Sequence, residues 1–299
     1  MIVETHHVAK RFGRLEAIED LSLSVPEGSV YALIGPNGTG KTTTIRMLMN
    51  ILHPDRGDII VLGTPSRQLG PAHFQRIGYA SESQRLPQGL TLAQYFDYLR
   101  RLYPSWDRSL EKILCEQFEL PPSRKIRHLS HGMRIKTLLV GALAFHPKLL
   151  VLDEPLSGLD TLVRDEVVNG LLQQAADTTI LISSHELAEI ESFTTHVAFL
   201  QNGRLFLQES IETLQTRFRA VSVTLSAMKE LPQPLPDGWF LPEIEGHRLR
   251  FITSSFESDQ QLYQQLTQIF GAVKMETETM PLRAVANALM QQRKRNLKP

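Results

Sequence analysis

A single cysteine, Cys115, in a chain of 299 residues leaves no partner for an internal disulfide. The fold must then be held by its core rather than by crosslinks, which suits a reducing cytosol. Neither sign of charge is in excess: Lys plus Arg and Asp plus Glu each total 32, so no global field draws the chain to nucleic acid. Long apolar runs are missing too. The stretch Leu138 to Phe145 is cut off by His146, Pro147 and Lys148, well short of the roughly 20 residues that cross a bilayer. Glu4, His6, His7 and Lys10 interrupt the first turns, where a signal peptide needs an apolar core. These absences describe a soluble chain, long enough for a sizeable core and for two domains.

What the chain does have is concentrated at Gly35-Pro36-Asn37-Gly38-Thr39-Gly40-Lys41-Thr42-Thr43, directly after the apolar run Val30 to Ile34. This is the strand, Gly-rich loop and helix start of a phosphate-binding loop. Gly35, Gly38 and Gly40 remove side chains that would keep backbone N–H groups from curling round phosphates, and the helix adds its positive N-terminal end. Lys41 is placed to reach β- and γ-phosphate oxygens, and the Thr42 hydroxyl to ligate a Mg²⁺ that bridges them. Asn37 and Thr43 belong to the same loop. The chain is therefore expected to hold a nucleoside triphosphate with Mg²⁺.

Around this loop the periodicity alternates between two kinds. Leu21, Leu23 and Val25, then Val30 to Ile34, read as strands, followed by a helix over about 41–52. Ile59 to Leu62 and Ile77 to Ala80 are further short strands. Leu92, Tyr95, Phe96, Leu99 and Leu102 have helical spacing, Leu110 to Phe118 continues it until Pro121 and Pro122, and a second helical run covers about 133–145. Leu149 to Leu152 and Ile180 to Ser183 read as buried strands, and Val197 to Leu200, Asn202-Gly203 and Leu205 to Leu207 as a hairpin. The expected fold is α/β, a P-loop NTPase core with a mostly helical subdomain over about 83–145. Beyond about 216 the style changes to alternating Val221, Val223 and Leu225, a strand at Leu249 to Ile252, and helices at Leu262 to Phe270 and Leu282 to Met290. A small C-terminal α/β domain over 216–299 is expected, with Pro232, Pro234, Pro236 and Pro242 in a loop inside it. The basic end, Arg293-Lys294-Arg295 with Lys298, reads as a solvated tail.

The strand Leu149 to Leu152 delivers Asp153 and Glu154 at its carboxyl end, where open α/β sheets keep their ligands. Asp153 fits a Mg²⁺ holder and Glu154 a base that takes a proton from attacking water. Upstream lies Leu129-Ser130-His131-Gly132-Met133, and with it the sequence resembles the ATP-binding-cassette (ABC) ATPases, whose signature motif is usually LSGGQ. The other motifs follow in family order: LLVLDEP at 149–155, SGLD at 157–160 and SSH ending at His185. The resemblance covers about residues 1–215.

By this resemblance Phe12, in KRFG, stacks on adenine, and Ser130 with the Gly132 N–H forms an anion site for the γ-phosphate of the nucleotide held by a second ABC subunit. Two cassettes would close head to tail over two ATP molecules, as a homodimer or heterodimer, with Asp160 at the contact. His185 would be the switch residue beside Glu154. The position of the usual coupling glutamine aligns with Glu82, a further candidate for Mg²⁺ or water, with Gln84 nearby. His131 replaces a Gly and Met133 a Gln of the signature. The implied function is MgATP hydrolysis that powers a separate transmembrane permease subunit, on the cytoplasmic face of the membrane, with docking on the helical subdomain near Tyr95, Phe96, Tyr98 and Tyr103. The wording GPNGTGKTTT, the acidic Glu82 and the terminal pattern Met280 to Val285 resemble exporter-type systems. A soluble ABC ATPase acting on nucleic acid or ribosomes, and a regulatory ATP-binding module, are the competing readings; no nucleic-acid partner is expected from the neutral charge.

Overall fold

The computed structural model describes residues 1–175, 177–271 and 273–296, without the side chains of 273, 290 and 292–296; the expected tail Arg293, Lys294, Arg295 and Lys298 lies outside the described side chains. The chain divides into two compact units, Met1–Gln208 and Glu209–Pro299.

The first unit is built around one large mixed sheet. Its elements are β1 (Val3–Phe12), β2 (Leu15–Leu21), β3 (Ser24–Val25), β4 (Val30–Ile34), α1 (Lys41–Leu48), β5 (Arg56–Val61), β6 (Thr64–Pro65), α2 (Pro71–Phe74), β7 (Ile77–Ser81), α3 (Leu92–Arg100), α4 (Arg108–Gln117), α5 (His131–Leu143), β8 (Leu149–Asp153), α6 (Thr161–Gln174), β9 (Thr179–Ser184), β10 (His196–Gln201) and β11 (Arg204–Ser210). The spatial order is β6-β5-β1-β2-β11-β10-β4-β9-β8-β7, with β3 paired to β1. β10, β4, β9, β8 and β7 run parallel, whereas β1, β2, β5 and β6 pair antiparallel.

Every residue of β4, β8 and β9 is buried, which accounts for their unbroken apolar runs: a parallel strand covered on both faces has no polar side to alternate with. The register then fixes the chemistry. Ser81 lies opposite Asp153, Asp153 opposite Ser183, and Ile34 opposite Ser184, so the segments that leave these four strands emerge side by side on one edge. Helix α5 packs against β7 so closely that a Cβ on Gly78 would lie 2.4 Å from the Ala142 carbonyl oxygen.

Between residues 83 and 145 lie the helices α3, α4 and α5, joined by non-helical segments, and each starts on a side-chain cap. The Thr91 hydroxyl accepts from the Gln94 N–H, Asp107 accepts from the Ser109 and Leu110 N–H groups, and Ser130 accepts from the Met133 N–H. Of the four aromatics expected near a docking surface, Tyr95 and Phe96 are core residues and Tyr103 stacks on Phe145 at 4.0 Å; Tyr98 is exposed together with Leu102.

In the second unit, α7 (Ile211–Arg217) leads into β12 (Arg219–Leu225), β13 (Trp239–Glu245), β14 (Arg248–Thr253), α8 (Asp259–Phe270), β15 (Val273–Thr279) and α9 (Leu282–Asn296). The sheet is antiparallel in the order β13-β14-β12-β15. Val221, Val223, Leu225, Leu249 and Phe251 bury one face against Leu262, Leu266 and Phe270 of α8, with Trp239 stacked on Phe251 at 3.7 Å.

Four expectations change here. The break between units falls after Gln208 rather than near 216, because Ser210 already caps α7 by accepting from the Thr213 N–H. Helix α1 ends at Leu48, not near 52, because Asn50 takes a left-handed φ of 57° and the Ile51 and Leu52 N–H groups both turn back to the Arg46 carbonyl. Pro242 lies inside β13 rather than in a loop; β13 is an edge strand with a register shift at that point and Leu241 at φ 50°, where a missing N–H is tolerated. The run Leu21, Leu23, Val25 is split between β2 and β3, although all three side chains are buried.

Candidate active site

The site is assembled at the carboxyl edge of the parallel strands. From β4 the chain enters the loop 35–40, and the three glycines there serve different ends. A Cβ on Gly35 would lie 2.3 Å from the Leu200 carbonyl oxygen, and one on Gly40 2.3 Å from Ile18 Cδ1 with φ at +105°. These two are required by the neighbouring strands. Gly38, at φ +81°, has nothing within 4 Å of its Cβ position; its conformation, not crowding, excludes a side chain. Asn37 is exposed beside it, and Thr43 is half-buried in the first turn of α1.

The Lys41 ammonium is almost wholly buried, 2.6 Å from the Gly35 carbonyl oxygen, 3.2 Å from that of Pro36 and 3.0 Å from Glu154 Oε1. The other Glu154 oxygen, Oε2, lies 2.8 Å from His185 Nδ1. Glu154 follows the last residue of β8 at a φ of 53°, a conformation unfavourable for a residue with a Cβ by about 1 kcal/mol or more. Its N–H donates to Ser183 Oγ at 3.0 Å, which anchors that turn. The hydrogen bond that the His185 ring donates to the Glu154 carboxylate raises the pKa of His185 above 6.5, against a smaller opposing effect of burial; the pair favours the imidazolium.

Asp153 is buried, and burial pushes its carboxyl pKa up. Its Oδ1 accepts from Thr42 Oγ1 at 3.1 Å and from Ser183 Oγ at 2.8 Å. A carboxylate and two hydroxyls converging beside the phosphate loop form a hard oxygen set of the kind Mg²⁺ takes. Among the described residues no group of three or more His, Cys, Asp or Glu side chains could hold a metal. Glu82 joins through its backbone, its N–H donating to the Asp153 carbonyl at 3.1 Å, and its side chain is exposed.

Lys41, Thr42, Asp153, Glu154 and His185 are thus brought together. A second group lies around the starts of α5 and α6. Ser130 is exposed at the N-terminus of α5, and Asp160 caps α6 by accepting from the Val163 N–H at 3.1 Å. A Cβ on Gly132 would lie 2.7 Å from Val163 Cγ1, so the two helix starts touch. His131 Nε2 is 3.0 Å from the Ser157 carbonyl oxygen; the ring that departs from the usual signature is tied to the SGLD segment. Phe12 is 44% exposed at the end of β1, with Lys10 Nζ 5.7 Å from its ring centre. Ser183 links Asp153 to the Glu154 turn, a role that the sequence marks only by its place two residues before His185.

The family model for the ABC transporter matches residues 18–157. The ABC transporter ATP-binding protein YtrB of Bacillus subtilis is 30% identical over 243 residues, 79% of this chain and 83% of that protein. The Fe(3+) ions import ATP-binding protein FbpC of Pseudomonas fluorescens is 38% identical over 68% of this chain and 60% of its own length. The Nod factor export ATP-binding protein I of Burkholderia lata is 34% identical over 68% of each. A solved ATP-binding subunit of an ABC transporter superposes with a TM-score of 0.66 at 27% identity, over 72% of this chain and 92% of the other. No helix among the described residues is long and apolar enough to cross a membrane.

Proposed function

Because the chain belongs to the ABC ATPases, as an ATP-binding, ATP-hydrolysing subunit of an ABC transporter, we propose that its ATPase site is the edge where Lys41, Thr42, Asp153, Glu154 and His185 meet. The observation that carries this reading is Glu154, held between the Lys41 ammonium and the His185 ring. Phosphate oxygens at the loop would compete with Glu154 for Lys41, and the carboxylate so released is the group that takes a proton from the attacking water. His185 orients it. Thr42 and Asp153 would hold Mg²⁺, which neutralises charge on the phosphates, and Glu82 lies beside them through its backbone. Phe12 offers the exposed ring for adenine.

Ser130, the Gly132 N–H and Asp160 would serve the nucleotide of a second ABC subunit. Ser130 stands exposed at the start of a 13-residue helix, the arrangement that favours an anion. The complete machine would include a transmembrane permease subunit, and this chain would sit at the membrane through it. We assign the direction as outward, from the GPNGTGKTTT wording, Glu82 and the Met280 to Val285 pattern. The relatives include one named for import and one for export. Phosphate release from MgATP by the purified chain tests the chemistry. Transport into inside-out vesicles from the native membrane tests the direction: ATP-driven uptake there is expected, and efflux would reverse the assignment.

A further inference from the structure

Glu189 is an acidic side chain with only 4% of its surface exposed, and it plays no part in the site as described. It ends the short turn Leu187–Glu189 that follows His185. One oxygen, Oε2, accepts from Ser184 Oγ at 2.8 Å, and the other, Oε1, lies 3.3 Å from Arg164 Nη2. A carboxylate this deep needs both partners, since an unpaired buried charge is costly.

Both partners lead to the active edge. Ser184 is the last residue of β9, its carbonyl accepts from the Gly35 N–H at 3.3 Å, and its hydroxyl also accepts from the Glu186 N–H at 3.0 Å. His185, between Ser184 and Glu186, is therefore flanked by one hydroxyl, which lies 2.8 Å from Glu189 Oε2 and 3.0 Å from the Glu186 carbonyl oxygen; the charged carboxylate is the nearer and stronger acceptor. On the other side Arg164, one turn beyond the cap Asp160, also reaches the Leu159 carbonyl at 3.5 Å. The carboxylate thus joins the strand end that presents His185 to the SGLD segment.

We infer that Glu189 is a positioning residue for ATP hydrolysis: through Ser184 it holds His185 against Glu154, and through Arg164 it ties that contact to the segment 157–160. The inference rests on the reading of His185 and Glu154 given above. Glu189→Gln keeps the shape and an oxygen for Ser184 but removes the charge that orders Arg164.

In the full-length chain, Glu189→Gln is expected to lower phosphate release at saturating MgATP by roughly 10- to 100-fold, the usual cost of losing an outer partner of a reactive group. The Kd for ATP is expected to stay within about twofold, while the melting temperature falls because Arg164 loses its charged partner. Wild-type turnover in the variant would overturn the proposal, and so would a fall in ATP affinity as large as the fall in turnover, the mark of a purely structural role. Should Glu189→Gln fail to fold, Ser184→Ala deletes the linking hydroxyl and leaves the Glu189–Arg164 pair in place. The same loss of turnover at unchanged affinity is expected there, and unchanged turnover overturns the link. If the wild-type chain binds ATP but releases no phosphate, the functional reading itself fails first, and is recognised by the absence of any rate to alter.

Discussion

The two units of this chain use sheets of opposite kinds. In the first, the parallel strands β4, β8 and β9 are buried on both faces and all end on one edge, so residues distant in sequence, from Lys41 to His185, are gathered at one place. In the second, antiparallel neighbours point their ends in opposite directions. Its sheet buries Val221, Val223, Leu249 and Phe251 on one face and exposes Arg248, Arg250 and Lys274 on the other. A parallel sheet concentrates chemistry at an edge, whereas an antiparallel sheet spreads it over a wet face. Nucleotide chemistry should therefore depend on the first unit alone, and each unit should break by its own mechanism.

The largest effect is expected at Lys41. Lys41→Ala removes the ammonium from the phosphate cradle, and affinity for ATP in a direct titration should fall by about 100-fold or more, since charge-assisted contacts are worth about 1.5–3 kcal/mol each. Unchanged affinity would move the site elsewhere. Glu154→Gln follows: turnover should drop by roughly 10²- to 10⁴-fold with binding retained, because the amide cannot take a proton. A variant that still hydrolyses at the wild-type rate would point to another base.

Ser130→Arg, added to Glu154→Gln, tests the second group of residues. Light scattering should show an ATP-dependent dimer for the single variant and none for the double, while one chain still binds ATP. Persistence of the dimer would exclude a head-to-tail pairing through Ser130.

Trp239→Ala probes the other side of the comparison. It should destabilise the second unit by about 3–5 kcal/mol, as loss of a buried indole does, and leave the Kd for ATP within about twofold. A matching loss of nucleotide affinity would mean that the second unit completes the site. The smallest effect is electrostatic. His185 titrates at about 6.5 in the unfolded chain and higher in the fold, so its pairing with Glu154 stabilises fully below about pH 6.5 and is lost as pH rises through the raised value. The melting temperature of wild type relative to His185→Ala should be higher by about 1–2 °C near pH 6, because the pair is partly exposed and screened, and the gap should close at alkaline pH. A gap that widens with pH would show that the ring is held neutral.

The strands of the phosphate loop, β8 and β9 were legible because burial on both faces leaves an apolar run, and the hairpin because Asn202-Gly203 supplies two left-handed residues in a row. Less local elements escaped. β13 carries Pro242 and a bulge, which only an edge position permits. Residue type alone implies that the loop glycines clear room for phosphates, whereas Gly35 and Gly40 are needed because Leu200 and Ile18 approach from other strands.

By itself the sequence determined the phosphate loop, the order of the motifs, the family and the identity of the groups that carry charge, since each of these lies in residue type and short-range spacing. The tertiary structure alone decided that Glu154 stands between Lys41 and His185, that Ser183 ties Asp153 to the Glu154 turn, and that Glu189 is buried behind Ser184 and Arg164. These are contacts between separate strands and helices, fixed by sheet register and packing rather than by any spacing along the chain.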